Sequence, residues 1–435
     1  MKRNKRLIAL CGVLINLSIG AVYAYSVLKK PLMAQFGRTD TSVAMMFSIA
    51  IFFLGLSAAF AGKFVKKYGP KKMWILAGIL YGIGIIWSGI AIHFQSLYGL
   101  YLGYGVIGGI GLGIGYLVPV PTLIKRFPNN KWLASGLAIM GFGFAALLIS
   151  PIMKSLMGTI GVEKMFYLLG SIYLLVIVGA SLYLADPKEE KSKEIIKTPE
   201  VTAKSVLKSP RFYLLWTMFF INILGGITII SNASPMAQDM IGMTVVAATL
   251  MVGIMWAFNG GGRFLWATLS DYIGRLPVYM IFFVVQIALF LLLPHITSIW
   301  IFQAVIFVIM TCYGGGFSCM PSFVAELFGD KAVGQVRGMI LTAWAAAGLT
   351  GPLLSSWLKA TTNSYVTVLS LYAGLFVVAL VLSGILWLNM KKSKSSKIEK
   401  INQATKAIQT TKKAGTKKKV PAKKVVKKKT IKSKK

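Results

Sequence analysis

The stretch Ala267-Thr268-Leu269-Ser270-Asp271-Tyr272-Ile273-Gly274-Arg275 is a short polar break in an apolar chain. It has a counterpart earlier, Gly62-Lys63-Phe64-Val65-Lys66-Lys67-Tyr68-Gly69-Pro70-Lys71, with Gly69 and Gly274 separated by 205 residues. Two further pairs keep nearly that spacing: Gly136 answers Gly338 at 202 residues, and Pro151 answers Pro352 at 201. Self-similarity at one offset is the mark of a duplicated unit.

Outward from these breaks the chain is a succession of long apolar runs. Of its 435 residues, 56% are hydrophobic and 14% charged, against about 25% charged in a soluble domain, which excludes an ordinary soluble enzyme. About 20 apolar residues at a helical rise of about 1.5 Å cross the hydrocarbon core. By that measure twelve spans are predicted, at 7–28, 42–62, 73–93, 97–124, 132–153, 165–185, 212–233, 245–269, 277–294, 298–325, 335–358 and 366–390. The expected fold is all-α, with two pseudo-symmetric six-helix bundles at 1–185 and 211–390, a central loop at 186–210, and a disordered Lys-rich tail at 391–435.

Charge sets the orientation. The net charge is +36, yet residues 391–435 hold 19 Lys and one Glu, which accounts for half of it. Most of the remainder sits in alternate loops: four basic residues before the first span, five at Lys63–Lys72, three at Lys125–Lys131 and seven at Lys188–Arg211. The opposite loops together hold six: Lys29, Lys30, Arg38, Lys154, Lys164 and Lys359. The positive-inside rule then puts both termini in the cytoplasm, in a cell (inner) membrane. The basic start resembles a signal peptide's, but the following apolar run is long and lacks a cleavage site, so it is kept as a helix. Cys11, Cys312 and Cys319 lie in apolar runs and are expected to be packing residues.

Sorting the charged side chains by position leaves one that is neither near a helix end nor in a loop, Arg263. It lies eight residues before Asp271, about 12 Å inside the boundary. A cation at that depth costs roughly 2.5–3.5 kcal/mol by insertion scales and marks a functional site; the alternative is a structural Arg that snorkels or bonds to carbonyls. No carboxylate is expected in the membrane interior to pair with it. A substrate carboxylate is the simplest partner, since the guanidinium fork matches two carboxylate oxygens. Asn259 sits one turn earlier on the same face, placed to meet a hydroxyl or keto oxygen. Gly260, Gly261 and Gly262 lie between, for close approach or helix packing. Tyr23, Tyr25, Tyr116 and Tyr313 carry hydroxyls within spans. Each either lines a pocket or is a core Tyr bonded to a carbonyl.

Two six-helix halves with a basic turn after the second helix of each resemble the major facilitator superfamily, whose members are almost all secondary transporters. Asp271, Gly274 and Arg275 fit its signature turn, as do Gly62 and Gly69 in the first half, where Lys66 stands in place of the Asp. These turns are the expected conformational loops. More specific strings, Gly20-Ala21-Val22-Tyr23-Ala24-Tyr25-Ser26-Val27, Gly113-Ile114-Gly115-Tyr116-Leu117-Val118-Pro119 and Tyr313-Gly314-Gly315-Gly316-Phe317, together with Gly69-Pro70-Lys71-Lys72 and Gly141-Phe142-Gly143, resemble the oxalate/formate antiporter family, related to the monocarboxylate transporters. The resemblance covers residues 7–390. It implies a carboxylate held by the Arg of the eighth helix, with an Asn-x-x-x-Arg arrangement similar to that of lactate-carrying relatives. Oxalate carriers of the family place a second cation, a Lys, in the eleventh helix, where this chain aligns Trp344. One buried cation against two carboxylates leaves net negative charge in low dielectric, so lactate, pyruvate or formate is favoured over oxalate. Alternatives are an oxalate/formate-type antiporter, another organic-anion or drug carrier, or a carboxylate-binding membrane sensor.

Other signals carry less. Gly103-Tyr104-Gly105-Val106-Ile107-Gly108 spells a dinucleotide fingerprint but lies inside an apolar span, so it is read with Gly109, Gly111, Gly113 and Gly115 as a smooth helix face. His93 and His295 have no metal-ligand company, and no cofactor is expected. The tail is a solvated tether or is drawn to anionic lipid. The absence of aromatic residues among its lysines argues against nucleic acid. A monomer is expected.

Overall fold

The computed structural model describes residues 5–117, 131–183, 203–329 and 333–414. Among them there is no strand. Among the described residues twelve long helical segments follow one another: α1, built of Lys5–Gly20, a 3-10 turn Ala21–Ala24 and Tyr25–Phe36; α2, Asp40–Tyr68; α3, Pro70–His93; α4, built of Leu97–Leu100, a π-helical segment Tyr101–Gly108 and Gly109–Leu117; α5, Lys131–Thr159; α6, Gly161–Tyr183; α7, Pro210–Ile241; α8, Val245–Ile273; α9, Arg275–Leu292; α10, Ile299–Phe328; α11, Val333–Thr362; and α12, Tyr365–Ala414; a short helix, Ala203–Leu207, precedes α7, and a 3-10 turn, Leu293–His295, follows α9. Among the described residues eleven are long and apolar enough to cross a membrane, and α5 adds the shorter apolar stretch Ala145–Thr159. Parts of three expectations, residues 118–124 of the fourth span, most of the central loop and the tail beyond Ala414, lie outside the described residues.

The helix ends follow ordinary capping chemistry. Thr39 caps α2, its hydroxyl accepting from the Ser42 N–H at 3.4 Å, and Thr244 caps α8 by accepting from Ala247 N–H at 3.2 Å. Such caps satisfy backbone N–H groups that the helix itself leaves unpaired. Gly37 and Gly242 stop α1 and α7 in the left-handed region, at φ 56° and 67°, where a Cβ is strained. The paired breaks that open the sequence are structurally alike: Gly69 ends α2 at φ 82°, ψ 155° and Gly274 ends α8 at φ 94°, ψ 157°.

Two boundaries correct the sequence reading. The first span was expected to end at residue 28, before Lys29 and Lys30, but α1 continues to Phe36 and contains both. Hydropathy treats a lysine pair as loop, whereas the backbone stops only at Gly37, and the Lys29 charge finds partners inside the protein. The tail was expected to be disordered from 391, yet α12 runs on to Ala414. Residues 391–414 contain neither Gly nor Pro, so nothing in them breaks a helix before Gly415.

Contacts group Met1–Ser383 into one compact unit and Gly384–Lys435 into another. Within the first unit α2 lies along α11, and α5 along α8. Small residues allow it: a Cβ on Gly55 would sit 2.5 Å from the Ala345 backbone N, and one on Gly348 2.1 Å from Ile51. Close backbone approach through small residues is how helices associate where lipid tails compete with apolar side chains. The same holds for the α4 glycines, since a Cβ on Gly111 would meet the Tyr81 backbone at 2.5 Å and one on Gly113 the Leu54 carbonyl at 2.2 Å. The smooth face read from sequence is a seam against α3 and α2.

Candidate carboxylate site

Arg263, on α8, is only 8% exposed, and among the described residues it makes no ion pair. Its Nε is buried without a hydrogen-bond partner, and its guanidinium carbon lies 5.6 Å from the centre of the Phe317 ring. Cation–π attraction at that distance is worth roughly 0.5–2 kcal/mol, far short of replacing the hydration of a full charge. One turn earlier Asn259 is fully buried with both its amide nitrogen and its amide oxygen unpaired. A buried polar group without a partner costs about 1–3 kcal/mol, so a pair of such residues on one helix face makes this a candidate ligand site.

The intervening glycines divide their roles. A Cβ on Gly262 would meet Thr311 Cα at 2.5 Å, and on Gly314 it would meet the Asn259 carbonyl at 2.3 Å, so α8 and α10 touch backbone to backbone here. Gly260 and Gly261 face open space, with nothing within 4 Å of the added atom. Close packing therefore belongs to Gly262 alone.

Aromatic side chains from four other helices converge on this pair. Tyr313 and Phe317 of α10 meet edge to face at 5.3 Å, Trp344 of α11 packs on Phe317 at 4.9 Å, and Tyr116 of α4 packs on Trp344 at 5.1 Å. Tyr23, in the 3-10 turn of α1, stacks on Trp256 at 3.8 Å. Thus Arg263, Asn259, Tyr23, Tyr116, Tyr313 and Trp344, singled out from sequence, come together. Tyr25 does not join them. Its hydroxyl donates to the Val43 carbonyl at 3.0 Å and its ring stacks on Phe47 at 4.5 Å. Two residues along a helix point roughly 200° apart, so Tyr23 and Tyr25 cannot both face the site.

Sequence reasoning missed Trp256 and Phe317. Trp256 is fully buried and its indole N–H has no partner. The signal was present, since positions 256, 259 and 263 share one helical stripe. It also missed a second buried cation. Lys29, assigned to a loop, is fully buried, and its ammonium bonds to Asp40 at 2.7 Å, Asn232 at 2.6 Å and Ser356 at 3.2 Å. The sequence reading that put Lys29 in a loop is therefore corrected: it lies within α1, and its partner Asp40, the first residue of α2, keeps 15% of its side chain exposed. Beyond it Asp239 joins Lys30 at 2.7 Å and also Lys359.

The signature turn lies apart from the site. Asp271 and Arg275 form an ion pair across the Gly274 break. In the earlier turn Gly62 is half-buried on α2 and Gly69 is at positive φ.

Comparison with known proteins agrees with this architecture. The family model of the Major Facilitator Superfamily matches residues 8–352 and 262–431. The chain is 31% identical to the uncharacterized MFS-type transporter YhjX of Escherichia coli (strain K12), over 78% of this chain and 84% of that one. It is 26% identical to the oxalate:formate antiporter of Oxalobacter formigenes, over 79% and 82%. Among solved structures the nucleoside transporter NupG superposes with a TM-score of 0.68 over 87% of this chain and 99% of that one, at 14% identity, a likeness of fold. Spanning helices, a duplicated break and a match across most of its length make the chain a member of the Major Facilitator Superfamily, a multi-pass membrane transporter and not an enzyme.

Proposed function

We propose that this transporter carries small monocarboxylates of the lactate, pyruvate or formate class by alternating access. Arg263 is the counter-ion of the carboxylate, Asn259 and Tyr116 orient the rest, and Tyr23, Tyr313 and Trp344 shape the pocket. The observation that carries the reading is the buried, unpaired Arg263 beside an Asn259 whose amide is unpaired on both sides. Similarity to an oxalate:formate antiporter supports a small carboxylate anion as cargo. The single cation at the site favours one carboxylate over two, because a dianion there keeps an uncompensated charge in low dielectric.

An empty Arg263 opposes reorientation of the unloaded carrier, which favours exchange of one anion for another over net flux. Proton symport is the other mode compatible with the fold. The turns at Gly62, Gly69 and at Asp271, Gly274 and Arg275 act as the loops that change conformation. The protein is a monomer in the cell (inner) membrane with both termini in the cytoplasm, and its basic tail lies against anionic lipid. The test is counterflow in proteoliposomes preloaded with lactate, pyruvate, formate or oxalate. Labelled monocarboxylate should accumulate, and a preference for oxalate over every monocarboxylate would refute the single-cation argument.

A further inference from the structure

Trp256, Asn259 and Arg263 form one stripe of α8 at spacings of three and four residues, and each carries a buried polar atom with no partner. Side chains on a helix lean toward its N-terminus, so the long Arg263 side chain brings its guanidinium back toward the level of Asn259. A carboxylate held there has the Trp256 indole, one further turn along, as the next polar group on the same face. An indole N–H donates and never accepts. Formate and acetate offer no oxygen outside the carboxylate, so with either bound by Arg263 the Trp256 N–H gains no partner from it.

We propose that Trp256 is a specificity-determining residue that donates its indole N–H to the oxygen on the carbon next to the carboxylate, so that the preferred cargo is a 2-oxo or 2-hydroxy monocarboxylate. The proposal rests on the reading of Arg263 as carboxylate ligand and deepens it. The stack of Tyr23 on Trp256 at 3.8 Å holds the indole plane, and Asn259 completes the set with an amide that can donate to a keto oxygen or accept from a hydroxyl. A site with fixed donors discriminates through the group it leaves unpaired when the ligand lacks the matching acceptor.

The experiment measures binding of pyruvate, lactate, propionate, acetate and oxalate to the purified full-length protein, with the Trp256→Phe and Arg263→Gln variants alongside. Propionate is pyruvate with a methylene in place of the keto group. In the unaltered protein pyruvate and lactate should bind about tenfold or more tighter than propionate, a comparison that needs no variant to fold. Trp256→Phe keeps a ring for Tyr23 to stack on, and it should lower pyruvate affinity about tenfold while leaving propionate unchanged. Equal affinity for pyruvate and propionate in the unaltered protein, or an equal loss for both in Trp256→Phe, overturns the proposal. Failure of the underlying reading looks different: Arg263→Gln then binds pyruvate as well as the unaltered protein does, or oxalate outcompetes every monocarboxylate.

Discussion

Lys29 and Arg263 are both cations buried among apolar helices, and their surroundings are opposites. The Lys29 ammonium pairs with the Asp40 carboxylate on α2 and donates to Asn232 on α7 and Ser356 on α11. Asn232 is itself held by the Thr228 carbonyl at 2.9 Å and by Ser231 and Ser355 at 3.0 Å. Arg263 has an aromatic face and an amide that is itself unsatisfied. A buried charge whose bonds are complete ties helices together, whereas one whose bonds are missing leaves room for something that comes and goes. Burial is common to both residues, and the partner count is what separates them.

The sharpest way to break this contrast is to neutralise Arg263. Arg263→Gln should lower monocarboxylate uptake by about 100-fold or more, because two charge-assisted bonds are lost, while the protein inserts and purifies normally. Retained uptake in proteoliposomes would show that the cation is structural after all. Next, Lys29→Met leaves Asp40 without its cation and should act on stability first. Removing one member of a buried pair costs about 3–5 kcal/mol, less where the partner is partly exposed, so the denaturation temperature in detergent should fall by several degrees. An unchanged melting curve would make the Lys29 bonds incidental.

A third substitution converts one kind of site into the other. Asn259→Asp places a carboxylate one turn from Arg263 and gives the cation an internal partner, as Lys29 has. Substrate affinity, measured by competition binding, should drop about tenfold or more, and further than in Asn259→Ala, which removes the amide without competing for the charge. Equal effects of the two would argue that Arg263 does not meet the substrate's charge. The smallest effect is expected at Lys30→Gln. Lys30 is 42% and Asp239 34% exposed, and solvent screening limits such a pair to about 0–1 kcal/mol, so its melting temperature should stay close to that of the unaltered protein.

Much of this was legible in the sequence, and the limits have physical causes. Span number follows from hydropathy, since the hydrocarbon core admits little else, and Arg263 stood out because charge is rare there. The repeated break at Gly69 and Gly274 was readable because a positive φ favours glycine. Lys29 was not readable: near a helix end, a lysine that snorkels to solvent and one that turns inward have the same sequence neighbours, and Asn232 and Ser356 are 203 and 327 residues away. Tyr25 went wrong for a local reason, since a pair of tyrosines two apart offers the site only one. Trp256 was overlooked as ordinary apolar filling. Its donor became visible only once the structure showed the indole N–H making no hydrogen bond.

The π-helical segment Tyr101–Gly108 gives α4 a consequence of its own. A π turn takes in more residues than an α turn, so it acts as a phase shifter for everything that follows. Tyr116 lies eight residues past its end, packed on Trp344. Rewinding the segment as α-helix would swing Tyr116 about the axis by roughly a quarter turn or more. Which side chains of α4 are presented to Trp344 is thus set by hydrogen-bond phase upstream, and a change of one residue in that winding would retune the pocket without altering any residue that lines it.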